Sequence, residues 1–305
     1  MAERLPKTLY HYCSTETFFN IVKTNSVWLS DIEKSNDSLE LEYLKKEYGR
    51  WVQAACMVFA GNHTEKNIDY DKDRLNALKG VLSDVSSLAL TKTWVFCLSE
   101  KGDLLSQWRG YADDGYGISI GFDTKYLMRS LASISSNELI PEMLFVLSKI
   151  NYSKKQMEAT VEDLIVPLKC VKCDTIDEFQ KKLTEPLIKI EELAPFYKND
   201  SFKEEKEWRI ACSSFIDKFC SYMNISKTNE MVSLSNFSYL HLNKKLVSHF
   251  ELTFLEFKKV VKEIILGPKC NITVEELRHF LISIGLLNDI NDNTINIRKS
   301  CSSYR

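Results

Sequence analysis

Apolar and polar residues change period several times along the chain, and each change marks an element. Residues 9–13 (Leu-Tyr-His-Tyr-Cys) read as a strand. Ser14 or Thr15 then caps an amphipathic helix whose apolar face is Phe18, Phe19, Ile21 and Val22. Val27-Trp28-Leu29 predicts a second, short strand, closed by Ser30-Asp31. A polar stretch over 33–38 leads to a predicted helix at 39–59, a hydrophilic loop at 62–73 and a helix at 74–90.

Residues 93–98 combine β-branched and aromatic side chains between polar flanks, which predicts a strand. A helix over 104–112 follows, then the turn signal Asp113-Asp114-Gly115 and a strand over 117–122. From 126 to 193 the pattern is mostly helical, interrupted by Pro141, a short strand around 148–152, and Pro167. Strand character resumes at 207–213, and 217–236 is polar and poor in strand signal. Residues 260–266 predict a buried strand ended by Gly267-Pro268. Asn271 or Thr273 caps a helix reaching 284, with Glu275 and Glu276 in its first turn as the helix dipole favours. An edge strand at 295–299 completes the pattern. Strands early and late with helices between predict one α+β domain over 1–305, with a largely helical segment at about 127–193.

Composition narrows the function. A chain of 305 residues with 44% hydrophobic content can bury a sizeable core. A net charge of −2 argues against a protein that coats nucleic acid by charge alone. Nine cysteines without regular spacing read as small hydrophobes of a reduced, cytoplasmic protein, and no apolar run approaches the ~20 residues of a membrane span.

Three motifs carry bland readings. Cys170 and Cys173 have zinc-ligand spacing but lack a second ligand pair. Gly115, Gly117 and Gly121 follow a helix and open a strand, the reverse of a dinucleotide-binding turn. Asp31, Asp37 and Glu40 suit a metal-dependent nuclease, although Asn36 or Asp37 with Glu40 also forms a helix start. The remaining signal is a constellation. Tyr10-His11-Tyr12 sits on the first strand, Gln107-Trp108-Arg109-Gly110-Tyr111 on a helix after a later strand, and Glu205-Lys206-Glu207-Trp208-Arg209 at a distal strand. Period two would place Glu205, Glu207 and Arg209 on one strand face.

The runs LYHYCS from Leu9, WLSD from Trp28, Asn36-Asp37, FCLSE from Phe96, LLSQWRGYADDGYGISIGFD from Leu104, FKEEKEWRI from Phe202, EIILGP from Glu263 and the terminal SSYR resemble the uncharacterised bacterial DUF2971 family. That likeness spans nearly the whole chain. The order of parts is also similar to the NAD-using ADP-ribosyltransferase fold, in its histidine–tyrosine–glutamate branch.

The second resemblance implies a split β-sheet core flanked by helices, and NAD as a substrate with no metal. It implies that His11 bonds a ribose hydroxyl, with Tyr10 and Ser99 beside the cofactor, and that Tyr111 or Trp108 stacks on nicotinamide. Glu207 would stabilise the oxocarbenium-like centre from the 2′-hydroxyl side, and Glu205 would orient the incoming nucleophile. Arg209 or Arg109 would hold the pyrophosphate. The implied activity is an ADP-ribosyltransferase or NAD glycohydrolase, as a bacterial toxin or anti-phage effector. It would act on a protein or nucleic-acid acceptor and be governed by an antitoxin or defence partner. The alternatives are an inactive nucleotide-binding or protein-interaction module of the same fold, and the nuclease.

Overall fold

The computed structural model describes residues 5–34, 91–135, 143–165, 186, 188–215, 227–228, 230–235, 237–242 and 245–304. The predicted helices at 39–59 and 74–90, the pair Cys170 and Cys173, and Asn36, Asp37 and Glu40 all lie outside those residues.

Strand β1 (Thr8–Cys13) runs into helix α1 (Thr15–Thr24) and strand β2 (Ser26–Asp31). Ser14 is the cap: its side chain accepts the Thr17 N–H at 3.1 Å, and Phe18, Ile21 and Val22 point into the core. Asn25 ends the helix in the left-handed region at φ 56°, a conformation that Asn tolerates. Strand β3 (Thr91–Ser99) leads to helix α2 (Leu105–Tyr111), and β4 (Ile118–Asp123) to α3 (Thr124–Ser135). Next come β5 (Met143–Lys149), α4 (Lys154–Ile165) and β6 (Glu207–Phe215). The short strands β7 (Lys227–Thr228), β8 (Val232–Leu234) and β9 (Ser238–Leu242) precede the long β10 (Lys245–Phe254). Strand β11 (Val261–Leu266), helix α5 (Val274–Ser283) and strand β12 (Asn296–Lys299) close the chain, and Thr273 with Glu276 forms a complete capping box on α5.

Among the described residues the twelve strands join one mixed sheet: β12 is parallel to β11, and every other strand pairing is antiparallel. Sheet and helices together make the α+β class. Strand β3 is the hub. One of its edges pairs with β6 along its whole length, from Thr91 opposite Phe215 to Ser99 opposite Glu207. The other edge is shared: β2 meets it at Trp94 and Val95, and β1 meets it at Ser99. Between those two contacts the sheet divides, at Phe96, Cys97 and Leu98. The core fills the face beneath, with Leu9, Phe18, Trp94, Phe122, Phe250, Phe254 and Ile264 fully enclosed or nearly so. Each such burial is worth roughly 1.5–3 kcal/mol.

One expectation is corrected. The strand that interrupts the mostly helical segment 126–193 runs over 143–149 as a full member of the sheet, rather than as a short strand around 148–152. Its Met-Leu-Phe-Val-Leu run is continuous, so periodicity cannot separate a covered strand from a buried helix. The long strand β10 and its partner β9 were not expected at all.

Candidate functional site

The split in the sheet is where the chemistry-bearing residues meet. Tyr10, His11 and Tyr12 of β1, Cys97 and Leu98 of β3, Gln107 and Tyr111 of α2, and Glu205 and Glu207 line one small pocket. Its volume is about 50 Å³, room for a water or two.

His11 caps the split. Its Nδ1 lies 2.9 Å from the Cys97 carbonyl oxygen, which only accepts, so Nδ1 carries the proton and Nε2 keeps its lone pair. The ring packs against Phe96 with centroids 4.3 Å apart. Burial lowers the imidazole pKa to about 4, and the Cys97 contact offsets this only in part, so His11 is neutral at pH 7. A depressed histidine contributes stability above its ordinary pKa of 6.5 that is lost as pH falls towards 4. Unfolding free energy should fall by up to about 3 kcal/mol across that window through His11. Denaturant melts at pH 7 and pH 5 should show a shallower loss in His11→Gln.

Tyr12 and Tyr10 seat helix α2. The Tyr12 hydroxyl donates to the Lys101 carbonyl at 2.6 Å and accepts the Leu104 N–H at 2.9 Å, and its ring meets Trp108 edge-on at 4.8 Å. Tyr10 donates to Glu263 at 2.7 Å, and its ring occupies space that a Cβ at Gly102 would invade at 2.4 Å. Trp108 is fully enclosed and donates Nε1–H to Asp103 at 2.7 Å, so it is a core residue and cannot serve as the platform. Tyr111, one turn on, is 37% exposed at the pocket and donates to Glu205 Oε1 at 3.1 Å.

Asp103 ties this helix to the end of the chain. It accepts from the side chains of Trp108, Ser300 and Ser302 and from the Cys301 N–H. Burial would raise its pKa, and those donors together hold it below the usual carboxylate range. Tyr304 adds a second tie, donating to Asp114 at 2.6 Å. Asp103→Ala should cost about 1–3 kcal/mol by stranding the Trp108 donor. Hydrogen exchange should speed up at 300–302 in that variant.

The two glutamates differ sharply. Glu205 ends a 3-10 helix (Asp200–Glu205), and Lys206 turns the chain through the left-handed region at φ 47° before β6 begins. Strand period therefore does not bring Glu205 to Glu207, as the sequence reading had it; this turn does. Lys198, its side chain fully buried, bridges them at 2.7 Å to Glu205 and 3.2 Å to Glu207. Glu207 also takes Arg209 Nε at 2.6 Å and an Arg209 terminal nitrogen at 3.1 Å. The Cys97 side chain bonds it too. Burial would raise the Glu207 pKa, but Arg209 and Lys198 outweigh it and hold the carboxyl below its ordinary range. Glu205 shifts the other way: burial raises it, offset only in part by Lys198.

The remaining sequence candidates fall outside the pocket. Arg209 is 2% exposed and committed to Glu207 and the Pro195 carbonyl, so it is no pyrophosphate ligand in this arrangement. Ser99 is buried and donates to the Glu205 carbonyl at 2.7 Å, which fixes the turn. Arg109 is exposed on α2 and does not line the pocket. Asp31, the described member of the nuclease trio, is buried and held by Lys92 at 2.9 Å and Ser248 at 3.1 Å. Gln107, named in the constellation without a role, lines the pocket, and Lys198, which no sequence signal marked, holds both glutamates. Nothing in the spacing of Lys198 marks it, since it arrives through the 3-10 turns after Leu193.

The stretch from Gln107 to Ile210 carries Tyr111, Lys198, both glutamates and Arg209. Residues 107–210 match the family model DUF2971, a protein of unknown function. The DUF2971 match begins in the pocket helix and ends within β6, so it covers one wall of the site and leaves His11 outside. The sequence likeness to DUF2971 described above reaches further along the chain than this match. No curated protein and no solved structure matches. Among the described residues, no helix is long and apolar enough to cross a membrane, and no cluster of three or more His, Cys, Asp or Glu side chains is arranged around a metal position.

Proposed function

We propose that the protein cleaves the nicotinamide–ribose bond of NAD, as an ADP-ribosyltransferase or NAD glycohydrolase. One observation carries the reading: residues from distant parts of the chain, His11, Tyr111, Glu205 and Glu207, converge on one pocket at a split in the sheet. A divided sheet with a first-strand histidine, a helix-borne tyrosine and a distal glutamate is the arrangement that the ADP-ribosyltransferase resemblance implies.

The contacts of the two glutamates favour exchanging their proposed roles. Glu207 accepts from Arg209, Lys198 and Cys97, which saturates its lone pairs and leaves it the buried anchor of the cluster. Glu205 has one contact on each oxygen and faces the pocket, so a lone pair remains for a ribose hydroxyl. In this reading Glu205 stabilises positive charge as the glycosidic bond breaks, His11 accepts a hydrogen bond from a ribose hydroxyl at Nε2, and the Tyr111 ring carries the base. The present volume is far below the ~300–1,000 Å³ of small-molecule sites. Substrate must therefore separate Tyr111 from Glu205 to enter, and that contact is an exposed one that costs little to break.

Following nicotinamide release from NAD, with and without a chelator, tests this directly. Release that survives the chelator is the expected result. No release at any protein concentration would favour the inactive nucleotide-binding or interaction module, and chelator-sensitive cleavage of nucleic acid would favour the nuclease.

A further inference from the structure

Behind the carboxylate cluster lies a second and much larger concavity, of about 780 Å³, lined by Lys149, Asn151, Ser153, Lys154, Asp200 and Lys203 among others. A side recess of about 140 Å³ continues it to Tyr197, Lys198 and Asn199. Tyr152 lines both and touches the site already described, because its hydroxyl accepts the Glu207 N–H at 2.9 Å.

The lining is basic in a chain whose net charge is −2: three lysines face one aspartate. Their present partners are exchangeable. Lys203 and Asp200 are 3.4 Å apart with both side chains 69% exposed, and Lys154 meets Glu158 at 3.8 Å on the open face of α4. Exposed pairs of this kind contribute little and yield to a better anion. Lys149, paired with Glu100 at 3.0 Å, is the more sheltered of the three. The floor adds neutral donors. Asn151 uses its Oδ1 to accept the Ser153 N–H at 2.9 Å, and its Nδ2 donates to no group among the described residues. The twelve-residue α4 begins beside the groove at Lys154, with the Gln156 N–H capped by the Ser153 hydroxyl at 3.3 Å, and the dipole of a helix start favours negative charge there.

From this groove we infer a second binding site, for a phosphorylated ligand of nucleotide size, distinct from the small pocket at the sheet split. Its volume suits such a ligand, and lysines around a helix start recognise phosphate as point charges. It stands independently of the NAD reading, since none of its lysines lines the small pocket.

Titration of the full chain with ADP, with adenosine as the uncharged control, tests the site. A 5′-phosphorylated oligonucleotide in parallel shows whether a free nucleotide or a nucleic-acid end is the tighter source of the phosphate. Saturable ADP binding with hydrogen-exchange protection at 149–156 and 198–203 is expected, weakened at least tenfold by Lys154→Glu and by Lys203→Glu. Both changes are at exposed positions, and circular dichroism confirms that each variant is folded. Absence of saturable binding by both phosphorylated probes up to millimolar concentration overturns the site. So does affinity unchanged in both variants, or protection confined to 10–12 and 205–207. Groove binding without nicotinamide release would retain this site and reject the NAD reading.

Discussion

Glu207→Gln should destabilise the folded protein by about 3–5 kcal/mol, the usual cost of breaking a buried ion pair from one side. The guanidinium of Arg209, 2% exposed, and the fully buried Lys198 ammonium would lose the charge that both lean on. Removing Arg209 as well should restore part of that loss, because the penalty comes from the unpaired charge rather than from the missing bond. Acid should act in the same direction. Glu207 sits below its ordinary pKa of 4.5, so its contribution is present above that value and is lost as pH falls through the lowered one. A denaturant midpoint for Glu207→Gln equal to wild type would show that the cluster is not the anchor described.

Glu205→Gln should do the opposite: little change in folding and a loss of nicotinamide release on the order of a hundred- to a thousand-fold. The amide keeps its size, its oxygen can still accept from Lys198 and its NH2 can donate to the Tyr111 oxygen, but it removes the negative charge facing the pocket. Because burial raises the Glu205 pKa, its ionised form carries a folding penalty. That penalty is absent below the ordinary pKa and grows as pH rises through the raised one, so the variant should be at least as stable as wild type at pH 7. Full activity in Glu205→Gln would remove it from the chemistry.

Much of the sheet was legible because its strands are bounded by strong punctuation. Gly267-Pro268 closes β11, Asp113-Asp114-Gly115 precedes β4, and Ser14 and Thr273 cap their helices as their side chains require. Strand β10 carries a signal in its second half, where Phe250-Glu251-Leu252-Thr253-Phe254 alternates apolar and polar residues with the apolar ones buried, but Ser248-His249 breaks that pattern upstream. The site was legible in part. Tyr111 and Trp108 lie three apart on one helix, and the wet pocket suited the phenol while the indole found Asp103 within the core. The pairing of Glu205 with Glu207 was read from strand period, yet a left-handed Lys206 and a buried lysine produce it. Such a bridge depends on where the 3-10 turns set Lys198, which is a property of the fold and of no local pattern.

The measurement that bears most directly on the central claim is a crystal structure of Glu205→Gln with NAD, since the variant should bind the substrate without consuming it. The account predicts the nicotinamide ribose between His11 and residue 205, with Tyr111 swung against the base. NAD bound away from the split between β1 and β2, or no NAD at saturating concentration, would contradict it.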